Sequence, residues 1–456
     1  MKACLDLRSR MMRCWQTMYY PRSLSSFLHV VINQTLSPLI RSDKSPDGLQ
    51  PARVSKTYLL QGYDQSTGDP VPGDVLRVES RTVGHYLGGF PFTVNVYALT
   101  APGVNGATMI DCGTSSYWPD VEDLIKKENV TRLVVTHHHE DHSGNVGNIL
   151  FANKHAPLKA PSEQRPPIPV FATPDTCAIL QAKELDPSDG GSSAVSAPPF
   201  PVYFYEHLMY GQISRVPRYD ASKPCSPSNI IPLPYSPSSR TADDPDYLPF
   251  ALSPTVTAHV IPIPGHAREM VAIYIPRYKA LFSADLYITK RPFYYRADES
   301  LVVTIESLKN VLALCCPLPL PASLSSSPPS AFSTSTRPIP PLFQPLGLDH
   351  LFCAHNPVVD SGPRAGSSAL RERLEYLSEL LLDMRRLHAL GVSDVSIARR
   401  LVKKGVTGVS QFAWLVFGGD VSPTNLVRSG LYGGVERENV KRSIDRGRRI
   451  SNNSKT

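Results

Sequence analysis

His137-His138-His139-Glu140-Asp141-His142 is the stretch on which the interpretation of this sequence depends, because each of its side chains can coordinate a metal ion. The run has the spacing H-x-H-x-D-H and follows residues 133–136, an apolar, β-branched stretch that predicts a buried strand. The next residues, Ser143-Gly144-Asn145, are typical of a turn. We therefore expect the candidate ligands at the carboxyl end of a strand.

A near-extended backbone would place His137, His139 and Asp141 on one side of the chain. The residues between them would then point away, so we expect a His138→Ala change to be nearly silent. His142 follows Asp141 directly and would serve a neighbouring ion. Imidazole and carboxylate without thiolate suit zinc, iron or manganese. A His-rich surface loop is the alternative interpretation, but such a loop needs no partner residues elsewhere in the chain.

Four other segments end apolar stretches with residues of the same types. They are residues 108–113 (TMIDCG), 263–266 (IPGH), 281–286 (LFSADL) and 352–355 (FCAH). Together with the His137 to His142 run they resemble, in order, the five motifs of metallo-β-lactamase-fold hydrolases. The subfamily is unassigned between glyoxalase II-like and lactamase-β-like proteins. In the fourth motif Ala284 stands where glycine is usual.

The resemblance implies a site for two divalent metal ions, with zinc expected and iron or manganese as alternatives. One ion would be held by His137, His139 and His266, and the other by Asp141, His142 and His355. Asp285 would bridge the two. A hydroxide shared by the ions would be the nucleophile, since coordination lowers the pKa of water to about 7.

Two aspartates have predicted roles beside those of simple ligands. Asp141 would also orient the hydroxide and accept its proton, which makes it the predicted catalytic residue. Asp111 is predicted to accept a hydrogen bond from a ligand imidazole and so fix its tautomer. An ordinary turn aspartate before glycine is an equally good interpretation of Asp111.

The resemblance implies an α/β fold, a four-layer αββα sandwich of two mixed sheets flanked by helices, with the metals at one sheet edge. We predict an N-terminal extension (1–73), a catalytic domain (74–361), a C-terminal helical subdomain (362–432) and a basic tail (433–456). Parts of residues 185–249 and residues 317–345 are rich in Pro and Ser and are expected to be insertions. The C-terminal helices are similar to the appendage of lactamase-β-like endoribonucleases, in a plain helical or a winged-helix-like form.

Charge is concentrated at the two ends of the chain. The 456 residues carry a formal net charge of +7. Residues 1–42 contribute +5 and residues 431–456 contribute +4, which leaves −2 for the body. Composition therefore does not indicate a basic surface across the catalytic domain.

Cysteine spacing and hydropathy indicate an intracellular protein. The eight cysteines show no regular framework, which fits a reducing compartment. No apolar run has the eighteen or more residues of an integral membrane segment. The Arg-rich N-terminus fits either a mitochondrial transit peptide or a basic extension, so the predicted location is cytoplasmic or mitochondrial.

The resulting hypothesis is a metal-dependent hydrolase of a small-molecule substrate, a thioester or carboxylic ester. A phosphodiesterase or single-strand endoribonuclease is the second hypothesis, which makes nucleic acid an alternative partner. A non-heme iron oxidoreductase is the third, and a non-catalytic binding module is the least favoured. Four residues near the motifs are candidate contacts for an anionic substrate, although single exposed charges are commonplace: Arg268, Tyr287, Lys290 and Arg291. The oligomeric state stays open.

Overall fold

The computed structural model describes residues 54–87, 90–114, 117–151, 168–182, 230–233, 247–254, 256–288, 299–316, 347–355, 357–403 and 423–432. The chain separates into two units, Met1–Pro51 with Tyr86–Phe90, and Ala52–His85 with Pro91–Thr456. The second unit contains the hydrophobic core and every candidate site residue.

The first sheet has seven strands that follow one another in chain order. They are β1 (Ser55–Tyr63), β2 (Pro70–Leu87), β3 (Phe90–Thr100), β4 (Ala107–Ile110), β5 (Val130–Val134), β6 (Val170–Ala172) and β7 (Ile230–Pro232). β1 and β2 pair antiparallel, as do β3 and β4, whereas β4 to β7 pair in parallel. The described helices of this half are α1 (Trp118–Lys127), α2 (Glu140–Ser143), α3 (Val146–Phe151) and α4 (Pro174–Ala182). The parallel strands bring the carboxyl ends of β4 and β5 to the same edge.

The second sheet has five strands in the order β12-β11-β10-β9-β8. They are β8 (Leu248–Ala251), β9 (Thr257–Pro262), β10 (Val271–Ile275), β11 (Ala280–Phe282) and β12 (His350–Phe352). The first four pair antiparallel in succession, and β11 and β12 pair in parallel. The carboxyl ends of β9, β11 and β12 therefore lie at one edge.

Both sheets are covered on both faces, which is visible in the alternation along β10. Val271, Ile273 and Ile275 belong to the cluster between the sheets, together with first-sheet residues such as Val134. Ala272 and the apolar ring of Tyr274 face the opposite way, into the cluster beneath the C-terminal helices. A third cluster lies between the first sheet and α1, α3 and α4. The result is the expected four-layer αββα sandwich.

The outer helical layer on the second sheet is formed by α5 (Leu301–Cys315), α6 (Ala365–Ala389), α7 (Asp394–Lys403) and α8 (Pro423–Leu431). The apolar residues expected at helical spacing on α6 are buried, including Leu370, Leu374 and Leu377. Ser393 accepts a hydrogen bond from the N–H of Ser396 and so caps α7. No helix among the described residues is long and apolar enough to cross a membrane.

Ser367, near the start of α6, contacts both ends of the predicted insertion at 317–345. Its hydroxyl lies 3.0 Å from the thiol sulfur of Cys316 and donates to the carbonyl of Leu348 at 3.1 Å. Cys316, which precedes residues 317–346, and Leu348, the second residue after them, are therefore held close together. The insertion itself lies outside the described residues, as do the N-terminal residues 1–53 and the tail 433–456.

Two predicted boundaries differ from the strand assignment. The sheet begins at Ser55, within the predicted extension 1–73. Buried and exposed residues alternate in the second half of β1, and the strand pairs with β2. Residues 230–232, within the predicted insertion 185–249, form β7 at the edge of the first sheet. An apolar run inside a segment otherwise rich in Pro and Ser explains this strand. The run consists of Ile230, Ile231 and the buried Leu233.

Candidate metal centre

The candidate ligands lie where strands of the two sheets end. Asp111 follows β4, and the His137 to His142 run follows β5. His266 follows β9, Asp285 follows β11 and His355 follows β12. The N–H of Val271 on β10 donates to the carbonyl of Thr136 at 3.1 Å, which joins the loop after β5 to the second sheet.

The His137 to His142 run is not extended throughout. His139 has φ −61° and ψ 146°, but Glu140–Ser143 form the helical turn α2, and the carbonyl of His139 accepts from the N–H groups of His142 and Ser143. The alternation expected of Asp141 is therefore wrong in its geometry. The turn instead places Asp141 and His142 in a second group of candidate ligands, together with His355.

The first group consists of His137, His139, His266 and Asp285, all of which are buried. Nδ1 of His139 lies 3.1 Å from Nε2 of His137 and 2.9 Å from Nε2 of His266. Nε2 of His266 lies 3.0 Å from Oδ2 of Asp285. Three imidazole nitrogens thus converge with one carboxylate oxygen, the donor set of a zinc-type site.

The second group consists of Asp141, His142 and His355. Nε2 of His355 lies 3.2 Å from Oδ2 of Asp141, and Nε2 of His142 lies 3.9 Å from the same oxygen. Both imidazole nitrogens also approach Oδ1 of Asp285, at 3.2 Å from His355 and 3.3 Å from His142. Asp285 therefore presents one oxygen to each group.

Three of these atoms show that the cluster fits metal ions. Nε2 of His142, Nε2 of His355 and Oδ1 of Asp285 are buried and make no hydrogen bond within the described part of the chain. Buried polar atoms are normally hydrogen-bonded, so atoms that converge without such bonds need another partner. A divalent cation supplies one, because it accepts lone pairs from all three.

Three of the candidate ligand histidines contact oxygen atoms through the ring nitrogen that faces away from the cluster. Asp111 Oδ2 lies 2.7 Å from Nδ1 of His142 and accepts from the Thr136 hydroxyl at 2.9 Å. The Thr136 hydroxyl oxygen in turn lies 3.1 Å from Nδ1 of His137. Nδ1 of His355 lies 2.6 Å from the carbonyl of Thr93. The contact predicted for Asp111 is thus present with His142, and the Thr136 hydroxyl links Asp111 indirectly to His137 of the first group.

Two buried glutamates were missed by the sequence analysis. Oε1 of Glu299 lies 3.3 Å from Nδ1 of His266. Oε1 of Glu269 accepts from the N–H of His138 at 3.2 Å and also contacts its imidazole Nδ1. Glu269 follows His266 by three residues, which is a weak local signal. The sequence gives no signal for Glu299, because Glu299 is distant from His266 along the chain and contacts it only in the folded protein.

Burial and nearby opposite charges shift the pKa values of candidate ligands in opposite directions. Burial lowers the pKa of His137 well below its usual value. Burial has the same effect on His355, but the Asp285 and Asp141 carboxylates outweigh it and raise the pKa of His355 to about 10. For Asp285, burial would raise the pKa, yet the imidazoles of His355, His142 and His266 hold it well below the usual range. The Asp285 carboxylate is therefore ionised at neutral pH, which binding of a metal ion would require.

The backbone at the residue before Asp285 has an unusual conformation, at the position where the sequence departs from the fourth motif. Ala284 has φ 44°, in the left-handed region that glycine occupies without strain. A non-glycine residue pays roughly 1–2 kcal/mol for this conformation. This is the position at which the fourth motif usually has glycine.

The candidate substrate contacts are placed only in part. Arg268 is exposed. Tyr287 is half-buried, and the guanidinium carbon of Arg373 on α6 lies 5.7 Å from its ring centroid. Lys290 and Arg291 lie outside the described residues.

Comparison with known proteins confirms the resemblance that the motifs indicate. Residues 89–311 match the family model of the Metallo-beta-lactamase superfamily. No curated protein matches the chain. Among solved structures, "Metallo-beta-lactamase from Pontibacter korlensis" is similar at 16% identity and a TM-score of 0.36, over 71% of this chain and 99% of that one.

Two further solved structures cover more of the chain. A beta-lactamase domain protein from Burkholderia ambifaria is 15% identical with a TM-score of 0.44, over 82% of this chain and 93% of that one. A metallo-beta-lactamase family protein from Thermus thermophilus is 15% identical with a TM-score of 0.41, over 82% of this chain and 92% of that one.

Proposed function

We propose that this chain, whose residues 89–311 match the metallo-beta-lactamase superfamily, is a two-metal hydrolase of a small thioester or carboxylic ester. The observation that carries the proposal is the position of Asp285, whose two carboxylate oxygens face two separate groups of buried ligands. A carboxylate shared in this way is suited to holding two ions a few ångströms apart.

Each residue of the cluster has a defined task in this proposal. His137, His139 and His266 would hold one ion, and Asp141, His142 and His355 the other, with Asp285 common to both. When bound, the ions would supply Lewis-acid polarisation of the scissile carbonyl and lower the pKa of a water molecule to about 7. Asp141 would orient that water and accept its proton, because its carboxylate lies in the cluster beside His355.

The charge of the site supports a small substrate over a polyanion. Six buried carboxylates lie in the cluster or on the segments that carry it: Asp111, Glu140, Asp141, Glu269, Asp285 and Glu299. Two divalent ions would add four positive charges, which these carboxylates offset. The loaded site would therefore lack the excess positive charge with which proteins bind a phosphate backbone.

A nuclease or phosphodiesterase is the second candidate, and the C-terminal helices favour it. α6, α7 and α8 share one apolar cluster with the second sheet, and these are the helices that resemble the appendage of lactamase-β-like endoribonucleases. The complete second group, which includes His355, counts against a mononuclear iron oxidoreductase.

Metal content and substrate class are tested together on the full chain. We expect elemental analysis to find close to two divalent ions per chain and a chelator to abolish activity. The metal-loaded protein is then screened on thioesters, carboxylic esters, lactones, phosphodiesters and RNA, with His137→Ala as the inactive control. A metal content near zero after metal-supplemented preparation would overturn the proposal.

Removal of the charged ends separates the two candidate substrates. Residues 1–42 and 431–456 together carry a net charge of +9. For a small ester, removal of residues 1–42 and of the tail 433–456, which holds all the charges of 431–456, should leave kcat/KM unchanged. RNA cleavage that weakens on trimming, becomes less salt-dependent and disappears in His137→Ala would favour the nuclease.

A further inference from the structure

Helix α5 is docked onto the turn that delivers His266. The N–H of Ser300 donates to the carbonyl of Gly265 at 2.8 Å, and the hydroxyl of Ser307 donates to the carbonyl of Pro264 at 2.6 Å. Gly265 has φ 139°, and a Cβ built there would lie 2.8 Å from the Cα of Thr304. The turn and the first two turns of the helix are thus in direct backbone contact.

Glu299 is fixed by the same arrangement. It immediately precedes Ser300, whose side chain caps α5 by accepting a hydrogen bond from the N–H of Val303. The Glu299 side chain is buried at 4% exposure, and its Oε1 lies 3.3 Å from Nδ1 of His266. Burial of a carboxylate is unfavourable unless its charge is compensated. The burial of Glu299 next to the His266 imidazole therefore requires an explanation.

We infer that Glu299 is a positioning residue for the metal centre, which accepts the Nδ1 proton of His266 and thereby leaves Nε2 free to bind an ion. The inference rests on the proposed function. It has a geometric basis in the opposite directions of the two nitrogens, since Nε2 of His266 faces Asp285 and His139 while Nδ1 faces Glu299. Carboxylates that hold a ligand histidine in this way fix its tautomer and raise its basicity.

The contact of Glu299 concerns one of the two groups of candidate ligands. Glu299 contacts His266 of the first group, whereas the second group is held by Asp111 and the Thr93 carbonyl. Loss of Glu299 should therefore weaken binding of one ion and leave the other nearly unchanged.

Zinc affinity of the full chain, measured by titration against a competing chelator, tests this claim. We expect Glu299→Ala to lower the affinity for one of the two ions by about 10- to 100-fold. Glu299→Gln should lose less, because its amide oxygen can still accept the proton. Glu306→Gln is the matched control, since Glu306 lies on α5 and pairs with Lys309.

A second measurement separates positioning from a general structural role. In a His266→Ala background, Glu299→Ala and Glu299→Gln should cause no further loss of zinc affinity. NMR of the zinc-loaded wild type should show His266 protonated at Nδ1, and in Glu299→Ala that proton signal should move upfield and exchange faster with solvent, because its acceptor is gone. Should Glu299→Ala not fold, the Gln variant alone decides, by its effect with and without His266.

Failure of the proposed function and failure of the role inferred for Glu299 would give different results. A wild type that binds no metal contradicts the proposed function. A wild type that binds two ions, with unchanged zinc affinity in the Glu299 variants or an equal loss in the His266→Ala background, overturns only the inference.

Discussion

Asp285 and Asp141 contribute different things to the cluster, although both are buried carboxylates. Asp285 faces both groups of ligands, so it fixes their separation. Asp141 belongs to one group and lies beside His355. A change at Asp141 should therefore affect one ion and the proton transfer, while the first group stays intact.

Asp141→Asn should keep the fold and reduce kcat by about 100-fold or more, because it removes a proton acceptor and weakens one ion. Steady-state kinetics with the substrate found in the screen, together with elemental analysis, measure both effects. Asp123→Asn is the control, because Asp123 is exposed on α1 and pairs with Arg81. An active Asp141→Asn variant with two bound ions would show that the proton goes elsewhere.

His138 lies between two candidate ligands, and its contacts predict an effect on stability, beside the nearly silent effect on turnover that is expected in comparison with Asp141→Asn. Its side chain meets Glu269, which is 2% exposed. Because His138→Ala would take a partner from this buried carboxylate, we expect it to lower the free energy of unfolding by about 1–3 kcal/mol. Denaturant unfolding measures this loss. In a double-mutant cycle with Glu269→Gln the losses should not add, and strict additivity would mean that the contact contributes nothing.

At the level of residues, the types of the ligands were predictable and their surroundings were not. The spacing of His137 to His142 and the motif resemblance single out all seven side chains that the fold brings together. Glu299 and Glu269 could not be found, because a carboxylate that meets a histidine across a packed interface leaves no periodic trace in the sequence. The helical turn α2 was missed because six consecutive ligand types hide the change from extended to helical backbone.

At the level of elements, the contact between α5 and the Pro264-Gly265-His266 turn depends on the absence of a side chain. Gly265→Ala should lower the free energy of unfolding by about 2–5 kcal/mol, from strain at positive φ and from overlap with Thr304. Gly73→Ala is the matched control, since Gly73 also has positive φ (76°) but a Cβ added there would have nothing within 4 Å of it. Thermal unfolding of both variants measures the difference, and equal losses would mean that overlap adds nothing to strain.

Glu79 on β2 links two neighbouring elements through its carboxylate. It accepts from the Thr57 hydroxyl of β1 at 2.5 Å and from Nζ of Lys127 on α1 at 3.0 Å. Burial would raise the pKa of Glu79, but these hydrogen bonds and the charges of Lys127 and Arg77 outweigh it and lower the pKa. The folded state thus favours the ionised carboxylate.

The stability that Glu79 contributes should therefore depend on pH in a defined direction. It is fully present above the unfolded pKa of about 4.3 and is lost as pH falls through the lower folded value. Glu79→Gln should cost about 1–3 kcal/mol at pH 7, and the gap to wild type should narrow below about pH 4. Urea unfolding at pH 7, 5 and 3 measures this, and a gap that is constant with pH would contradict it.

Elements with a clear period were predictable, and short ones in unusual contexts were not. The amphipathic spacing of Leu370 to Met384 predicts α6, and Thr173 before Pro174 predicts the start of α4, where the N–H of Thr176 donates to the Thr173 hydroxyl. β7 has three residues within a Pro- and Ser-rich segment, and its pairing with β6 is what stabilises it. Such a strand depends on its partner and not on its own pattern.

At the level of the whole molecule, the anchors around Ser367 predict that residues 317–345 can be replaced. Cys316 and Leu348 both contact the Ser367 hydroxyl, so a short Gly/Ser linker can join their neighbours without strain. We expect the variant to keep its melting temperature and metal content. Elemental analysis and thermal unfolding check this, and loss of either would show that the segment contributes to the fold.

The segment between Cys316 and Leu348 is also a point at which a cut would divide the polypeptide into two pieces of unequal size. A protease cut between Cys316 and Leu348 would leave Asp285 and most ligands on the larger piece, and β12, His355 and α6 to α8 on the smaller one. The two pieces would still share the parallel β11–β12 pairing and the apolar cluster beneath the helices. An ion held by Asp141, His142 and His355 would then be a tether between separate polypeptides, and a chelator would act on the nicked protein as a dissociating agent.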